Sequence, residues 1–277
     1  MRARVLGWTA LAMIAFAANS LLCRLALRET SIDPASFTAI RLVSGALVLL
    51  LVVRMRGGSV RTGSWMSALA LFVYAAAFSF AYVSLPAATG ALLLFGAVQV
   101  AMVGHGLWCG ERLRGWKLAG FVLALAGLVG LLLPGISAPP PIGAGLMLSA
   151  GIAWGVYSLR GRGVGDATCA TAGNFLRTVP AAAVLMLLAP HGALDRAGIA
   201  YAIASGALAS GLGYVVWYSV LPALRSTTAA TVQLSVPLLA AIGGIAFLGE
   251  AVTPRLMLAG AAVLGGIALV VRPQDDA

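Results

Sequence analysis

Ten apolar runs of about twenty residues each, parted by short breaks rich in proline, glycine and arginine, leave this chain little choice of solvent. The runs cover approximately 5–27, 34–54, 64–84, 87–110, 114–133, 142–162, 167–189, 196–220, 224–249 and 254–271. A helix that crosses the hydrocarbon core of a bilayer needs about 20 mostly apolar residues. Hydrophobic residues make up 61% of the 277 and charged residues 9%, against about 25% charge in soluble domains. One water-soluble core could not enclose that much apolar surface. The expected fold class is an all-α integral membrane protein with ten transmembrane helices.

The net charge of +10 comes from 18 basic and 8 acidic residues. The basic residues cluster in the breaks, which is how membrane orientation is encoded, and this argues against nucleic acid as a partner. With the N-terminus placed in the cytoplasm, twelve basic residues fall inside, from Arg2 and Arg4 to Arg272, and four fall outside: Arg24, Arg28, Arg196 and Arg255. Arg41 and Arg177 lie within spans. The bias implies both termini cytoplasmic, an even number of spans and a multi-pass protein of a bacterial inner membrane. The apolar run from Val5 is long enough to span and is read as a retained first helix rather than a cleaved leader. Cys23, Cys109 and Cys169 are scattered and odd in number, which supports neither a disulfide framework nor a metal site. No phosphate-binding glycine motif is present, so no nucleotide cofactor is expected, nor any other.

The chain repeats itself. Arg41, in Ala39-Ile-Arg-Leu-Val43, recurs as Arg177, in Phe175-Leu-Arg-Thr-Val179, 136 residues later. At the same offset Tyr82 and Pro86 meet Tyr218 and Pro222. After a three-residue gap Gly110-Glu111 meets Gly249-Glu250, and after one residue more Leu118-Ala-Gly120 meets Leu258-Ala-Gly260. Landmarks in one order define two units, 1–137 and 138–277, of five helices each. Five is odd, so the second unit enters the membrane from the opposite side. Inverted-topology repeats typify transporters that rock around a site near the bilayer midplane.

The stretch from Leu234-Ser-Val-Pro237 to Phe247-Leu-Gly249-Glu250 resembles the signature of the EamA-type branch of the drug/metabolite transporter superfamily. Its first-half counterpart ends in Cys109-Gly-Glu-Arg112, and Phe16-Ala-Ala-Asn19-Ser20 resembles the family's first-helix pattern. Phe16 stands where a tryptophan is usual, and Val98 stands at the position matching Pro237. The resemblance covers essentially the whole chain and implies a ten-helix, two-repeat carrier. Within that group the chain looks most like the YddG-type exporters of aromatic amino acids.

Candidate solute contacts follow from aromatic and polar residues at depth. Tyr74, Phe78 and Tyr82 share one face of the third span; Tyr214, Trp217 and Tyr218 share one face of the eighth. They line a cavity between the halves, or they pack as ordinary helix contacts or an interfacial belt. Gln99 and Gln233, in spans four and nine, and Asn19, in span one, are solute ligands or interhelical hydrogen-bond partners. Trp154 in span six faces the cavity or packs on its neighbours. The candidate binding set is Asn19, Phe78, Tyr82, Gln99, Trp154, Tyr214, Trp217, Tyr218 and Gln233, near helices one, three, four, six, eight and nine.

Arg41 and Arg177 are read as structural charges that hold backbone carbonyls or snorkel to an interface, with receipt of a solute carboxylate as the competing reading. Glu111 and Glu250 are read as structural carboxylates at the start of the helix that follows each; Thr253-Pro254 is a cap pair for the last span. His105 is expected to cap or pack rather than to couple protons. Gly106-xxx-Gly110 and Gly151-xxx-Gly155 offer faces for close helix contact, and Pro86, Pro180, Pro222 and Pro237 offer kinks or hinges.

An intramembrane enzyme would need clustered carboxylates, metal ligands or a nucleophile with its base, and the spans do not supply them. The expected activity is therefore export of small metabolites, aromatic or other large neutral amino acids foremost. It would proceed by alternating access, from a monomer whose partners are the solute and the bilayer. The alternatives are a carrier of a different metabolite or drug-like amphiphile in either direction, or a membrane subunit that transports nothing.

Overall fold

A computed structural model describes residues 2–110, 115–135, 137–161, 164–189, 192–224 and 232–271. The expectations for Glu111 and His191, and the orientation arginines at 112, 114, 162, 225 and 272, lie outside the described residues. The helices are α1 (Arg2–Glu29), α2 (Pro34–Met55), α3 (Trp65–Tyr82), α4 (Ala87–Trp108), α5 (Trp116–Leu132), α6 (Pro141–Arg160), α7 (Ala167–Leu188), α8 (Arg196–Ala223), α9 (Ser235–Leu248) and α10 (Pro254–Val271). Seven are long and apolar enough to cross a bilayer; α5, α9 and α10 are shorter apolar helices. Large apolar side chains face outward, as at Leu51, Leu187 and Phe247. Apolar surface on that scale calls for lipid.

Short polar side chains start the helices. Asp33 caps α2 by accepting from Ala35 N (2.9 Å) and Ser36 N (2.8 Å), with Pro34 in the first turn, where its missing N–H costs nothing. Ser64, Asp166, Asp195 and Thr253 cap α3, α7, α8 and α10 in the same manner. Helix α9 stops where Gly249 turns left-handed at φ +59° and Glu250 N donates back to Gly244 O at 3.0 Å. Only glycine takes that conformation cheaply, and the reversal aims Glu250 away from its own helix.

The most extensive helix contacts recur when α1–α5 and α6–α10 are exchanged, although α4 touches α5 and α10 without a counterpart of similar extent among the described residues. Helix α3 lies on α6 as α8 lies on α1, and α4 lies on α6 as α9 lies on α1. Likewise α3 lies on α7 as α8 lies on α2, while α2 with α7, α4 with α9 and α5 with α10 are self-related pairs. Small residues bring these pairs close. A Cβ on Gly120 of α5 would stand 2.5 Å from Gly266 O of α10, and one on Gly151 of α6 would stand 2.6 Å from Leu94 O of α4. Gly155 continues the second contact, whereas Gly110 has open space around it.

Helix α8 is not uniform. Its middle, Ala204–Leu212, is a π-helix flanked by α-helical turns. Gly206 and Gly211 in this stretch press against α2 at Arg41 and Val48.

Hydrogen bonds gather the connections into two ends. At one end Gly192 N donates to Asp33 Oδ2 (3.1 Å), Ser31 N to Asp195 Oδ2 (3.2 Å), and Arg255 to Leu133 O (2.7 Å). These bonds join the α1–α2 and α7–α8 connections to each other and the start of α10 to the end of α5. At the other end Arg177 donates to Arg61 O and Thr62 O, both at 3.1 Å, and Ser64 N donates to Asn174 Oδ1 at 2.9 Å. Arg160 of α6 reaches Ser67 of α3 there at 3.2 Å.

Candidate functional site

A small cavity lies where α1, α3, α4, α6 and α8 converge. Phe16, Asn19 and Ser20 of α1 line it with Tyr74 and Phe78 of α3, Leu94 and Phe95 of α4, Trp154 of α6, and Ala209, Ser210 and Tyr214 of α8. Gln233, just before α9, completes the wall. Its volume is about 20 Å³, room for roughly one water. Six of its twelve lining residues are aromatic and four are polar.

The aromatic half is one connected cluster. Trp154 lies 4.9 Å from Tyr74 and 5.2 Å from Tyr214 between ring centres. Tyr74 continues to Phe78 at 5.4 Å, and Tyr214 to Phe16 at 5.8 Å. Pairs at this spacing each contribute about 0.5–1.5 kcal/mol beyond the area they bury. A chain of polar side chains runs from the wall to Ser205 and Arg41 behind it. Ser205 Oγ donates to Asn19 Oδ1 (2.7 Å), Asn19 Nδ2 to the Tyr74 hydroxyl (3.3 Å), and Arg41 Nη2 to that same hydroxyl (3.2 Å). Arg41 Nε reaches Ser210 Oγ at 3.4 Å. The Arg41 guanidinium also stands over the rings of Tyr74 and Phe78, at 5.3 and 4.9 Å.

The two ends of the protein are unlike. At the Asp33 end Glu250 binds Arg24 Nε through Oε1 (3.1 Å) and accepts from Ala87 N through Oε2 (2.7 Å), at the start of α4. Arg24 also donates to Tyr82 O (2.9 Å) and Val83 O (3.1 Å), and Arg28 to Leu248 O (2.9 Å). These contacts tie α1, α3, α4 and α9 together and seal that end. The other end opens into two adjoining cavities of about 250 and 560 Å³. Both touch Gly161, Val164, Ala167 and Tyr218; the smaller also reaches Ser67, Tyr157, Arg160 and Asn174. Tyr157, in that vestibule, stacks on Trp154, in the central wall, at 5.5 Å and 28°. The stacked pair is the partition between the two spaces.

Asn19, Phe78, Trp154, Tyr214 and Gln233, five of the nine candidate residues, meet at the central cavity. The other four do not reach it. Tyr82 is fully buried beside Phe78 and donates to Ala87 O at 3.3 Å, so it serves the α3–α4 turn. Trp217 sits behind Phe16, 6.0 Å away, and Tyr218 lines the vestibule. Gln99 is half-buried about one turn beyond the cavity residue Phe95 on α4. Sequence reasoning left Phe16, Tyr157, Ser205 and Ser210 out of the site. A signal existed for the serines: Ser205-Gly206 and Ser210-Gly211 recur at five residues, the hydrogen-bond spacing of a π-helix.

The charged residues also differ from expectation. Arg41 neither snorkels nor holds backbone carbonyls; it is 2% exposed, and its bonds go to side-chain hydroxyls. Its repeat counterpart Arg177 binds the carbonyls of Gly173, Thr62 and Arg61. Glu250 stabilises the N-terminus of α4 rather than that of the helix after it, a task that falls to Thr253. His105 is exposed beside Cys109.

Long apolar helices packed around a small polar and aromatic centre make this a multi-pass membrane protein, and the family match identifies the class as membrane transporters. The sequence profile of the EamA-like transporter family matches residues 4–133 and again 141–272, and the chain belongs to that family. It is 62% identical over 275 residues to "Uncharacterized protein PA1977" of Pseudomonas aeruginosa, covering 98% of this chain and 96% of that one. It is 32% identical over 170 residues to the threonine/homoserine exporter RhtA of Escherichia coli K12, which covers 56% of this chain and 55% of the exporter. A solved structure described only as "Crystal structure of protein" shares the fold, with a TM-score of 0.65 over 94% of this chain and 96% of the other at 23% identity.

Proposed function

We propose that this protein exports small metabolites, aromatic or other large neutral amino acids foremost, across a bacterial inner membrane. The reading takes all ten helices as spans, in two five-helix repeats of opposite topology, with both termini in the cytoplasm. The exchange symmetry of the helix contacts favours it, because two halves that pack alike can close either end. The sealed end carries Arg24, Arg28, Arg196 and Arg255, the sparse arginines assigned to the outside, so the vestibule faces the cytoplasm.

The observation that carries the substrate class is the cavity wall: an aromatic cluster centred on Trp154 faces the hydrogen-bonding groups of Asn19, Ser210 and Gln233. An amino acid with a ring has those same two faces. Cytoplasmic solute enters the vestibule, passes the Trp154–Tyr157 partition and reaches a centre still closed on the far side. Release requires the Arg24–Glu250 contacts to part while the vestibule closes. The likeness to RhtA supports a second reading, in which the solute is a small polar amino acid.

Purified protein in liposomes should give saturable counterflow of phenylalanine, tryptophan or leucine above empty vesicles. Saturation by threonine and homoserine instead would establish the second reading. Flux equal to empty liposomes across the whole panel would defeat both.

A further inference from the structure

The Arg41 side chain is buried behind the wall of the central cavity with a hydrogen-bonding capacity its surroundings among the described residues do not use. Nη2 and Nε have their hydroxyls, but Nη1, equally buried, has no partner. Among the described residues both ion pairs are made elsewhere, by Arg24 with Glu250 and Arg28 with Glu29. Arg41 therefore keeps a full positive charge, since guanidinium does not give up its proton in proteins, compensated only by neutral hydroxyls and ring faces. Holding an uncompensated cation there is costly, and a packing role would be met by a neutral side chain of similar length. The residues Arg41 touches, Tyr74, Phe78 and Ser210, are themselves cavity wall. Tyr74 accepts from both Asn19 and Arg41, which leaves its own proton free to donate toward the cavity.

We infer that Arg41 and Tyr74 together form a carboxylate subsite, so that the solute this protein carries is one bearing a carboxylate. One carboxylate oxygen accepts a hydrogen bond from Arg41 Nη1 and the other accepts one from the Tyr74 hydroxyl, both reached when the wall between Tyr74 and Ser210 parts as the cavity widens. This adds the missing acceptor and the missing negative charge in one step. The inference deepens the exporter reading and rests on it for the identity of the site, but not for the identity of the solute.

The test is competition for binding and flux in liposomes by a matched series: phenylalanine, 3-phenylpropionate, which keeps the carboxylate without the amine, and 2-phenylethylamine, which lacks the carboxylate. Wild-type protein should favour the first two over the amine by about hundredfold, the penalty for leaving a buried polar group unpaired. Arg41→Gln should collapse that ratio toward one, and Arg41→Lys, a charge without the planar fork, should restore part of it. Because the wild-type ratio needs no variant, misfolding of Arg41→Gln cannot hide the answer. Equal use of 2-phenylethylamine and phenylalanine by wild type would overturn the subsite while leaving an exporter of amphiphiles. Full carboxylate preference retained in Arg41→Gln would overturn it as well. Movement of 3-phenylpropionate or other carboxylates with no amino acid transported would defeat the amino-acid reading and uphold the subsite.

Discussion

Replacing Glu250 with glutamine should unlatch the Arg24–Glu250 end, which is the outer, periplasmic end in the proposed orientation. The carboxylate does two things at once: it neutralises Arg24 and it caps α4 at Ala87 N. Its side chain is 9% exposed and that of Arg24 13%, so water screens the pair poorly. At 3.1 Å and an effective dielectric of about 20, the attraction is roughly 5 kcal/mol before desolvation is set against it. Deleting one partner of such a pair typically costs about 3–5 kcal/mol, because the other charge is left buried. The low end applies here, since Arg24 keeps Tyr82 O and Val83 O and the glutamine carbonyl still accepts from Ala87 N. A loss of about 3 kcal/mol from the outer-closed state alone shifts the equilibrium toward outer-open roughly a hundredfold. Cys23, fully buried one residue from Arg24, reports that opening. With Cys109 and Cys169 changed to serine, a membrane-impermeant thiol reagent added from the periplasmic side should label Cys23 about a hundred times faster in Glu250→Gln than in its parent. Arg24→Gln should act likewise, and the double variant should fall short of the two effects summed. Equal labelling rates in parent and Glu250→Gln, with full labelling after denaturation, would refute the latch.

Trp154→Ala removes the hub of the aromatic wall and half of the partition; flux of ring-bearing solutes should fall at least tenfold while smaller solutes lose less, read from paired counterflow assays. At Asp33, burial raises the carboxyl's pKa, but hydrogen bonds from Ser36, Gly192 and Ala35 outweigh it, and the net value lies below the ordinary 3.8. A group held below its unfolded value adds stability that is present above that value and lost as pH falls through the folded one. Melting temperature in detergent should therefore drop below about pH 4, and Asp33→Asn should soften the drop. Asp166, held low chiefly by the Cys169 N–H and then by its thiol, with burial opposing, adds a second contribution of the same sign. Asp195→Ala should cost about 1 kcal/mol through the lost α8 cap, with a further loss from the freed Ser31 N–H, seen as a lower melting midpoint.

Helix starts were legible where breakers and caps coincide, at Asp33-Pro34 and Thr253-Pro254, which cap α2 and α10 in the structure; Ser64, Asp166 and Asp195, which cap α3, α7 and α8, carry no proline beside them and were passed over. The site was legible only in outline, and the reason is the solvent. A soluble helix advertises its buried face by contrast with its wet one. In lipid both faces are apolar, and α9, Ser235–Leu248, carries nothing charged on any side. Periodicity alone therefore placed Tyr74, Phe78 and Tyr82 on one stripe without saying where along it a cavity would lie. The structure puts Tyr74 and Phe78 at the cavity and Tyr82 at a turn below it.

The two repeat-related arginines show what depth adds to identity. Alignment makes Arg41 and Arg177 equivalent, and a sequence rule assigns both the same carbonyl-holding task. Arg177 has Gly173 one turn before it and the 61–62 connection above it, so free carbonyls lie within its reach. Arg41 has instead the π-helical stretch of α8 packed against its backbone at Gly206, which turns Ser210 toward the guanidinium. The π-helix also brings Ser205 to Asn19. A five-residue recurrence of serine and glycine in one half, absent from the other, is thus what breaks the equivalence of the two halves at the centre. A repeat protein with identical halves would present two arginines on carbonyls and no charge at the solute; the asymmetry of α8 leaves one arginine unspent.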